Sequence, residues 1–338
     1  IFIMVLYLLG IFMGAIDTGI VTPARTLIQS TLGIDAQLAI WMITIYTLSY
    51  AASIPIMGKI ADKYGRKYIY LLSITLFGLG SLLSGLSQYV GSFTMLLISR
   101  SIQAIGGGGI IPIATAEFGT TFPKEKRGIA LGLVGGIYGI ANIFGASAGS
   151  LILDLFGQTN WSYIFFINVP ITIFIIMFGF FYLPNNKNDE VKKIDTFGIL
   201  FLTLMILSLL YGLKNINFMD FTASFLDYHV WLFLLISIIL FPIFLFAEKK
   251  AEDPVINLSY FKNRQIVITL ILSFISGVIL MGTVFVPQFA ENSVRIASGS
   301  GGYYVIALGL FAGLGAPLSG KLIDKFGVKP VLTFGFMV

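Results

Sequence analysis

Long apolar runs alternate with short polar breaks along the chain. Ten complete runs can be marked, at roughly 1–24, 37–57, 68–87, 92–116, 128–153, 161–183, 197–214, 229–247, 265–290 and 302–319, and an eleventh begins near 330. Runs of about 20 apolar residues are long enough for a helix to cross a hydrocarbon core. They are too continuously apolar for barrel strands, which alternate in segments of about ten residues. Lipid offers backbone amides and carbonyls no partner, so spanning segments satisfy these groups internally, as helices do. The predicted fold class is therefore an all-α polytopic membrane protein.

The polar breaks carry a second pattern. GKIADKYGRK at 58–67 returns as GKLIDKFGVK at 320–329, with Gly, Lys, Asp, Lys, Gly and Lys at the same offsets. Eight apolar runs separate the copies, where two plain six-helix halves would place six. Two helices are thus surplus to the repeat, most simply 197–214 and 229–247. An even insertion keeps both halves in one orientation, as in parallel repeats related by an axis along the membrane normal. The expected domains are a six-helix bundle at 1–183, two inserted helices with linkers at 184–264, and the start of a second six-helix bundle at 265–338. Since the chain opens already apolar at Ile1 and ends a few residues into its eleventh run, it reads as part of a longer protein lacking its C-terminal helices. Its first run lacks the basic flank and cleavage site of a signal peptide.

Charge fixes the expected orientation. The breaks at 58–67, 117–128, 184–196, 248–264 and 320–330 hold 17 of the 21 Lys and Arg residues, against three (Arg25, Lys214 and Arg295) on the other side. Basic loops mark the cytoplasmic side, which predicts a multi-pass protein of the cell membrane with a cytoplasmic N-terminus. This placement also accounts for the net charge of +5 without nucleic acid. With no cysteine and one histidine, thiolate and histidine metal clusters are excluded. GAPLSGK at 315–321 matches the start of a phosphate loop, but Leu322 follows where Ser or Thr belongs, and a helix precedes it where a strand belongs. Neither a nucleotide nor any other cofactor is expected, and no nucleophile–base pair points to an enzyme.

Several segments resemble one family in order and spacing. GKIADKYGRK before an apolar helix resembles the signature loop between helices 2 and 3 of the major facilitator superfamily. AIDTGIVTPA (15–24), RSIQAIGGGG (100–109), GIANIFGASAGS (139–150) and WSYIFFINVP (161–170) resemble helices 1, 4, 5 and 6 of its 14-helix drug:proton antiporter branch. There are departures: Gly145-Ala146 and Gly149-Ser150 stand where the antiporter motif has Gly-Pro and Gly-Gly, and Val328 stands opposite Arg66 in the second loop. The resemblance implies a major facilitator fold, with two six-helix bundles plus two inserted helices and the second bundle incomplete. It also implies proton-coupled export of amphipathic or cationic small molecules by alternating access.

The candidate residues follow. Asp17 lies within the first run, where a charge costs at least about 2.5–3.5 kcal/mol on insertion scales. It suits a proton or cation site, or a static hydrogen-bonded acid. Arg100 and Gln103 share a face of the fourth helix at i, i+3. The resemblance puts helices 1 and 4 on one cavity, which makes Asp17 a partner for Arg100, as a proton-coupled pair or a structural one. By resemblance Gly58, Asp62, Gly65, Arg66, Lys67 and Glu117 form an inner gate latch, with Asp62 capping a neighbouring helix and Arg66 paired to Glu117. Gly320, Asp324 and Gly327 form a second gate loop. Gly139, Asn142, Gly145 and Gly149 mark the antiporter-motif helix, where GxxxG pairs at 135/139 and 145/149 allow close helix approach. The expected partners are the lipid bilayer, a small-molecule substrate and protons. A transporter of one specific metabolite is the nearest rival, and a non-transporting receptor or scaffold is a rival that the repeated gate loop disfavours.

Overall fold

The computed structural model describes residues 2–21, 23–157, 159–185, 195–217, 220–284, 293 and 302–337. Among these the chain is helical, with no strand. The helices are α1 (Phe2–Ile20), α2 (Arg25–Leu32), α3 (Ala36–Tyr64), α4 (Arg66–Val90), α5 (Phe93–Thr121), α6 (Arg127–Phe156), α7 (Tyr163–Phe166), α8 (Asn168–Tyr182), α9 (Thr196–Lys214), α10 (Phe221–Ser224), α11 (Tyr228–Lys250), α12 (Arg264–Val284), α13 (Gly302–Phe326) and α14 (Val328–Met337). Seven helical stretches among the described residues are long and apolar enough to cross a membrane, with α7 and α8 forming one of them. The glycine-rich α6 runs for 30 residues, about 45 Å at 1.5 Å per residue. The predicted runs correspond to these helices; residues 285–290, the end of the ninth run, lie outside the described residues, as does Arg295.

Polarity is arranged the reverse of a water-soluble protein's. Outward-facing side chains on α11 include Trp231, Leu235, Ile238, Ile239, Phe241 and Phe246, all exposed. Asp17, Arg100, Gln103, Glu117 and Asn168 are buried inside. Exposed apolar surface on this scale suits a lipid environment.

The helix ends differ from the hydropathy reading. The basic break at 58–67 is not a loop, because α3 continues to Tyr64 and α4 starts at Arg66, leaving only Gly65 between them. Gly65 has φ +103°, and an added Cβ would collide with Asn185, so the joint needs glycine. Gly327, with φ +86°, makes the same one-residue joint between α13 and α14. Polar composition marks where lipid stops, whereas a helix stops only where its backbone turns. The short α2 was not predicted. At eight residues it is too brief for a spanning pattern, and it closes on Gly33 in the left-handed conformation.

Small residues set the interior spacing. The run Gly106–Gly109 threads α5 between two neighbours. An added Cβ on Gly106 would strike the α4 backbone at Ser73 and Phe77, and one on Gly108 would strike Ser53 and Tyr50 of α3. Helices α9 and α11, expected from the sequence to be surplus to the repeat, pair with each other, and α9 also packs on α3. Tyr211 of α9 lies 6.0 Å from Trp41 of α3, and Lys214 sits over the Trp41 ring at 4.3 Å.

Candidate functional site

Four helices bring one polar network into the apolar interior. Arg100 Nη1 on α5 donates to Asp17 Oδ2 on α1 at 2.7 Å and to Gln103 Oε1 at 2.7 Å. Gln103 Nε2 donates to Asp17 Oδ1 at 2.8 Å and to Ser81 Oγ on α4 at 2.7 Å. Asn168 Nδ2, at the start of α8, donates to Ser81 Oγ at 2.9 Å and to Asp17 Oδ1 at 3.3 Å. Asp17 is wholly buried and Arg100 is 2% exposed. The guanidinium carbon lies 4.0 Å from the centre of the Tyr46 ring, a cation–π contact that partly replaces lost hydration. Close backbone approach makes this possible: a Cβ on Gly80 would run into the backbone of Gln103. Asp17, Arg100 and Gln103 are thus in direct contact; the i, i+3 spacing implied the Arg100–Gln103 side of this, and the family resemblance implied Asp17 as the partner. Ser81 and Asn168 were missed. Asn168 stands inside the quoted helix-6 motif, and an amide within an apolar run was a signal for it. Ser81 had only the spacing of Ser73, Ser81, Ser84 and Ser87, which are all buried on α4.

A second cluster lies at the basic end. Arg66 Nη1 donates to Thr120 Oγ1 at 2.7 Å, to the Ala116 carbonyl at 3.3 Å and to Glu117 Oε2 at 3.4 Å. Glu117 is 3% exposed and also accepts from Thr121 Oγ1 at 2.8 Å. Three expected members sit less closely. Asp62 caps no helix among the described residues; its side chain is 48% exposed and makes a long i, i+4 ion pair with Arg66 at 3.9 Å. Lys67 sits over the Phe180 and Tyr68 rings, at 5.6 and 6.0 Å. A Cβ on Gly58 would meet nothing within 4 Å.

Capping appears instead at the repeat. Asp324 Oδ1 and Oδ2 accept from the amides of Gly128 and Ile129, at 2.9 and 3.0 Å. These are first-turn amides of α6, which lack partners inside the helix, and the positive end of the helix dipole favours the carboxylate. Gly320 touches the same turn, where a Cβ would strike the Gly128 carbonyl. Gly327 forms the joint that follows.

The glycines of α6 serve two neighbours. Toward its basic end, Cβ atoms on Gly132, Gly136 and Gly139 would meet Ala316 O at 2.7 Å, Gly313 O at 3.1 Å and Ala312 Cβ at 3.3 Å, all on α13. Beyond, a Cβ on Gly145 would meet Ile16 O of α1 at 2.7 Å, and one on Gly149 would strike Ile20 O. Gly135, the other half of the predicted 135/139 pair, is looser, at 3.8 Å from Ala316 Cβ. Gly132 and Gly136 take the close contacts because they are the ones rotated toward α13. The side chain of Asn142 lies outside the described residues.

The chain is similar to several known proteins. The chain is 39% identical over 98% of its length to the uncharacterized MFS-type transporter YfiU of Bacillus subtilis, covering 64% of it. It is 32% identical to Multidrug resistance protein 3 of the same organism, over 98% of this chain and 63% of that protein. It is 30% identical to the riboflavin transporter RibZ of Clostridioides difficile, over 99% of this chain and 70% of that protein. The chain therefore spans just under two thirds of the length of the first two. A solved structure of the proton:xylose symporter XylE matches with a TM-score of 0.61 at 15% identity, covering 97% of this chain and 70% of that one, a likeness of fold. The family model for the Major Facilitator Superfamily matches residues 7–338, and the chain belongs to that superfamily.

Proposed function

We propose that this chain forms the proton-coupled core of a secondary exporter that moves amphipathic or cationic small molecules out of the cell by alternating access. The observation that carries the reading is the buried network around Asp17. An ion pair held this deep in a membrane protein is costly and marks ion or substrate pathways more often than scaffolding. Asp17 accepts three hydrogen bonds, and protonation removes its charge and weakens its hold on Arg100. Arg100 keeps its own charge at all relevant pH values, so it must then find water or another anion. Proton load is thereby converted into a rearrangement between α1 and α5. A proton gradient is the energy source in this reading, with each charge crossing the full potential worth about 2.3 kcal/mol per 100 mV.

In this reading residues 1–183 act as the first bundle, 265–338 begin the second, and α9 and α11 in 184–264 stand beside them. The contacts Arg66–Glu117, Lys59–Asp253 and Asp324–α6 gather the basic ends of several helices on one face, assigned to the cytoplasm with the N-terminus inside the plasma membrane. Asp324 and the glycine seam between α6 and α13 hold that face shut, and Arg66 with Glu117 latches α4 to α5. The similarity to a multidrug resistance protein supports the broad substrate class. The similarity to a riboflavin transporter supports the alternative of one specific metabolite. The deciding experiment is pH-gradient-driven transport of a dye panel and of riboflavin in vesicles holding the protein. Uphill movement of several unrelated cations supports the exporter. Transport of riboflavin alone supports the alternative, and movement without proton exchange defeats the coupling.

A further inference from the structure

Away from the Asp17 network, two acids meet where α9 begins and α11 ends. Asp195 precedes α9, and its Oδ1 accepts from the Gly198 amide at 2.8 Å. Glu248 lies in the last turn of α11, and its Oε2 accepts from the Ile256 amide at 2.9 Å. Each carboxyl thus has one oxygen satisfied by a backbone N–H. Their other oxygens, Asp195 Oδ2 and Glu248 Oε1, are buried with no hydrogen-bond partner. Both crowd one point beside Gly198, where an added Cβ would strike the first and stand 2.5 Å from the second. Glu248 is only 3% exposed.

Two ionised carboxyls in this position repel one another, and burial removes the water that would screen them. The start of α9 offers its dipole to one negative charge, not two. The surrounding cations compensate the pair only in part: Lys59 is the one whose field reaches Glu248, and it is shared with other partners. Lys59 of α3 is held by Asp253 Oδ1 at 2.6 Å and the Pro254 carbonyl at 3.0 Å. Lys250 lies over the Phe246 ring at 4.4 Å, and Lys249 is exposed. Glu252 lines the same cavity of about 500 Å³ as Asp195 and Lys250, and adds negative charge. No group of three or more metal-ligating side chains gathers among the described residues.

We propose that Asp195 and Glu248 form a proton-binding carboxyl pair, sharing one proton as an O–H···O bond between Asp195 Oδ2 and Glu248 Oε1. The proton comes from solvent, and the charge of the pair falls from two negatives to one. Glu248 also holds Ile256, so the shared proton fastens the segment at 251–257 to α9 and α11. The pair is separate from the Asp17 network, and the inference does not rest on the transport reading. Losing the shared proton restores two facing negative charges, so the pair is expected to hold the segment at 251–257 most firmly at acid pH and to loosen as pH rises.

The test is the melting temperature of the purified protein from mildly acid to mildly alkaline pH. The wild type is expected to lose a few degrees as pH rises. Glu248→Gln supplies a permanent N–H donor to Asp195 Oδ2 and is expected to flatten that dependence and to melt above the wild type at alkaline pH. Asp195→Asn is the reciprocal variant, expected to do the same should the first fold poorly. A pH dependence unchanged in both variants overturns the proposal. So does a wild-type curve flattened by sodium or magnesium at constant ionic strength, which assigns the site to a metal cation. Loss of the dependence in Lys192→Gln/Lys193→Gln also overturns it, by assigning the counter-charge to the lysines that precede Asp195 in the sequence.

Discussion

Replacing Asp17 with asparagine keeps its shape and removes its charge. Asp17 receives three donors, from Arg100, Gln103 and Asn168. An asparagine offers one amide oxygen and one NH₂, so at least one of these donors faces another donor. The larger loss is Arg100, left charged and 2% exposed without its anion. Removing one partner from a buried pair costs about 3–5 kcal/mol. Arg100→Gln strands Asp17 in the same way and at a similar cost. The double variant Asp17→Asn/Arg100→Gln holds no charge, and a neutral replacement of a buried pair is close to energetically neutral. Thermal unfolding of purified protein is therefore expected to show two destabilised single variants and a double variant near the wild type. Transport is expected to follow a different order. All three variants lose pH-gradient-driven efflux from everted vesicles, while the stable double variant keeps slow exchange of substrate for substrate. That split separates instability from lost coupling. A double variant that pumps uphill at the wild-type rate would falsify the role given to Asp17.

Three further outcomes are expected. Arg66→Ala takes the guanidinium from buried Glu117 and should abolish efflux, while Asp62→Asn should cost much less because Asp62 is half exposed and 3.9 Å away; equal losses in a dye-efflux assay would contradict this ranking. Gly132→Ala should wedge α6 from α13 and sharply reduce transport, whereas Gly135→Ala, with 3.8 Å of room, should be tolerated; cross-linking between cysteines placed on the two helices reads the separation. Gly65→Ala should destabilise the α3–α4 joint by about 1 kcal/mol or more through its positive φ, and an unchanged melting temperature would count against strain there.

The spanning helices were legible because lipid imposes a simple demand, and the runs answer it. Asp17 and Arg100 were legible for the same reason, as charges stand out in an apolar helix. Ser81 was not, because a serine is ordinary in such a helix until Gln103 and Asn168 are brought to it by tertiary packing. Asp62 and Asp324 occupy equal places in the repeat, yet only Asp324 meets a helix start among the described residues. A motif carries the residue but not its neighbour. The inferred gate loops were too long for a related reason: polarity reports the lipid boundary, while the backbone turns only at Gly65 and Gly327. The pairing of Asp195 with Glu248 had no sequence signal, since more than 50 positions separate them.

Along the seam between α6 and α13, Gly132, Gly136 and Gly139 face Ala312, Gly313, Ala316 and Pro317, with Ile140 set against Gly313 and Asp324 as the polar clasp. The glycine and alanine positions have few rotamers to unlock. Parting it exposes carbonyls and two amides that water can bind at once, in exchange for the carboxylate. The two helices can therefore separate with little frictional resistance from interlocked side chains, and hydration of the opened crack would replace what the clasp gives up.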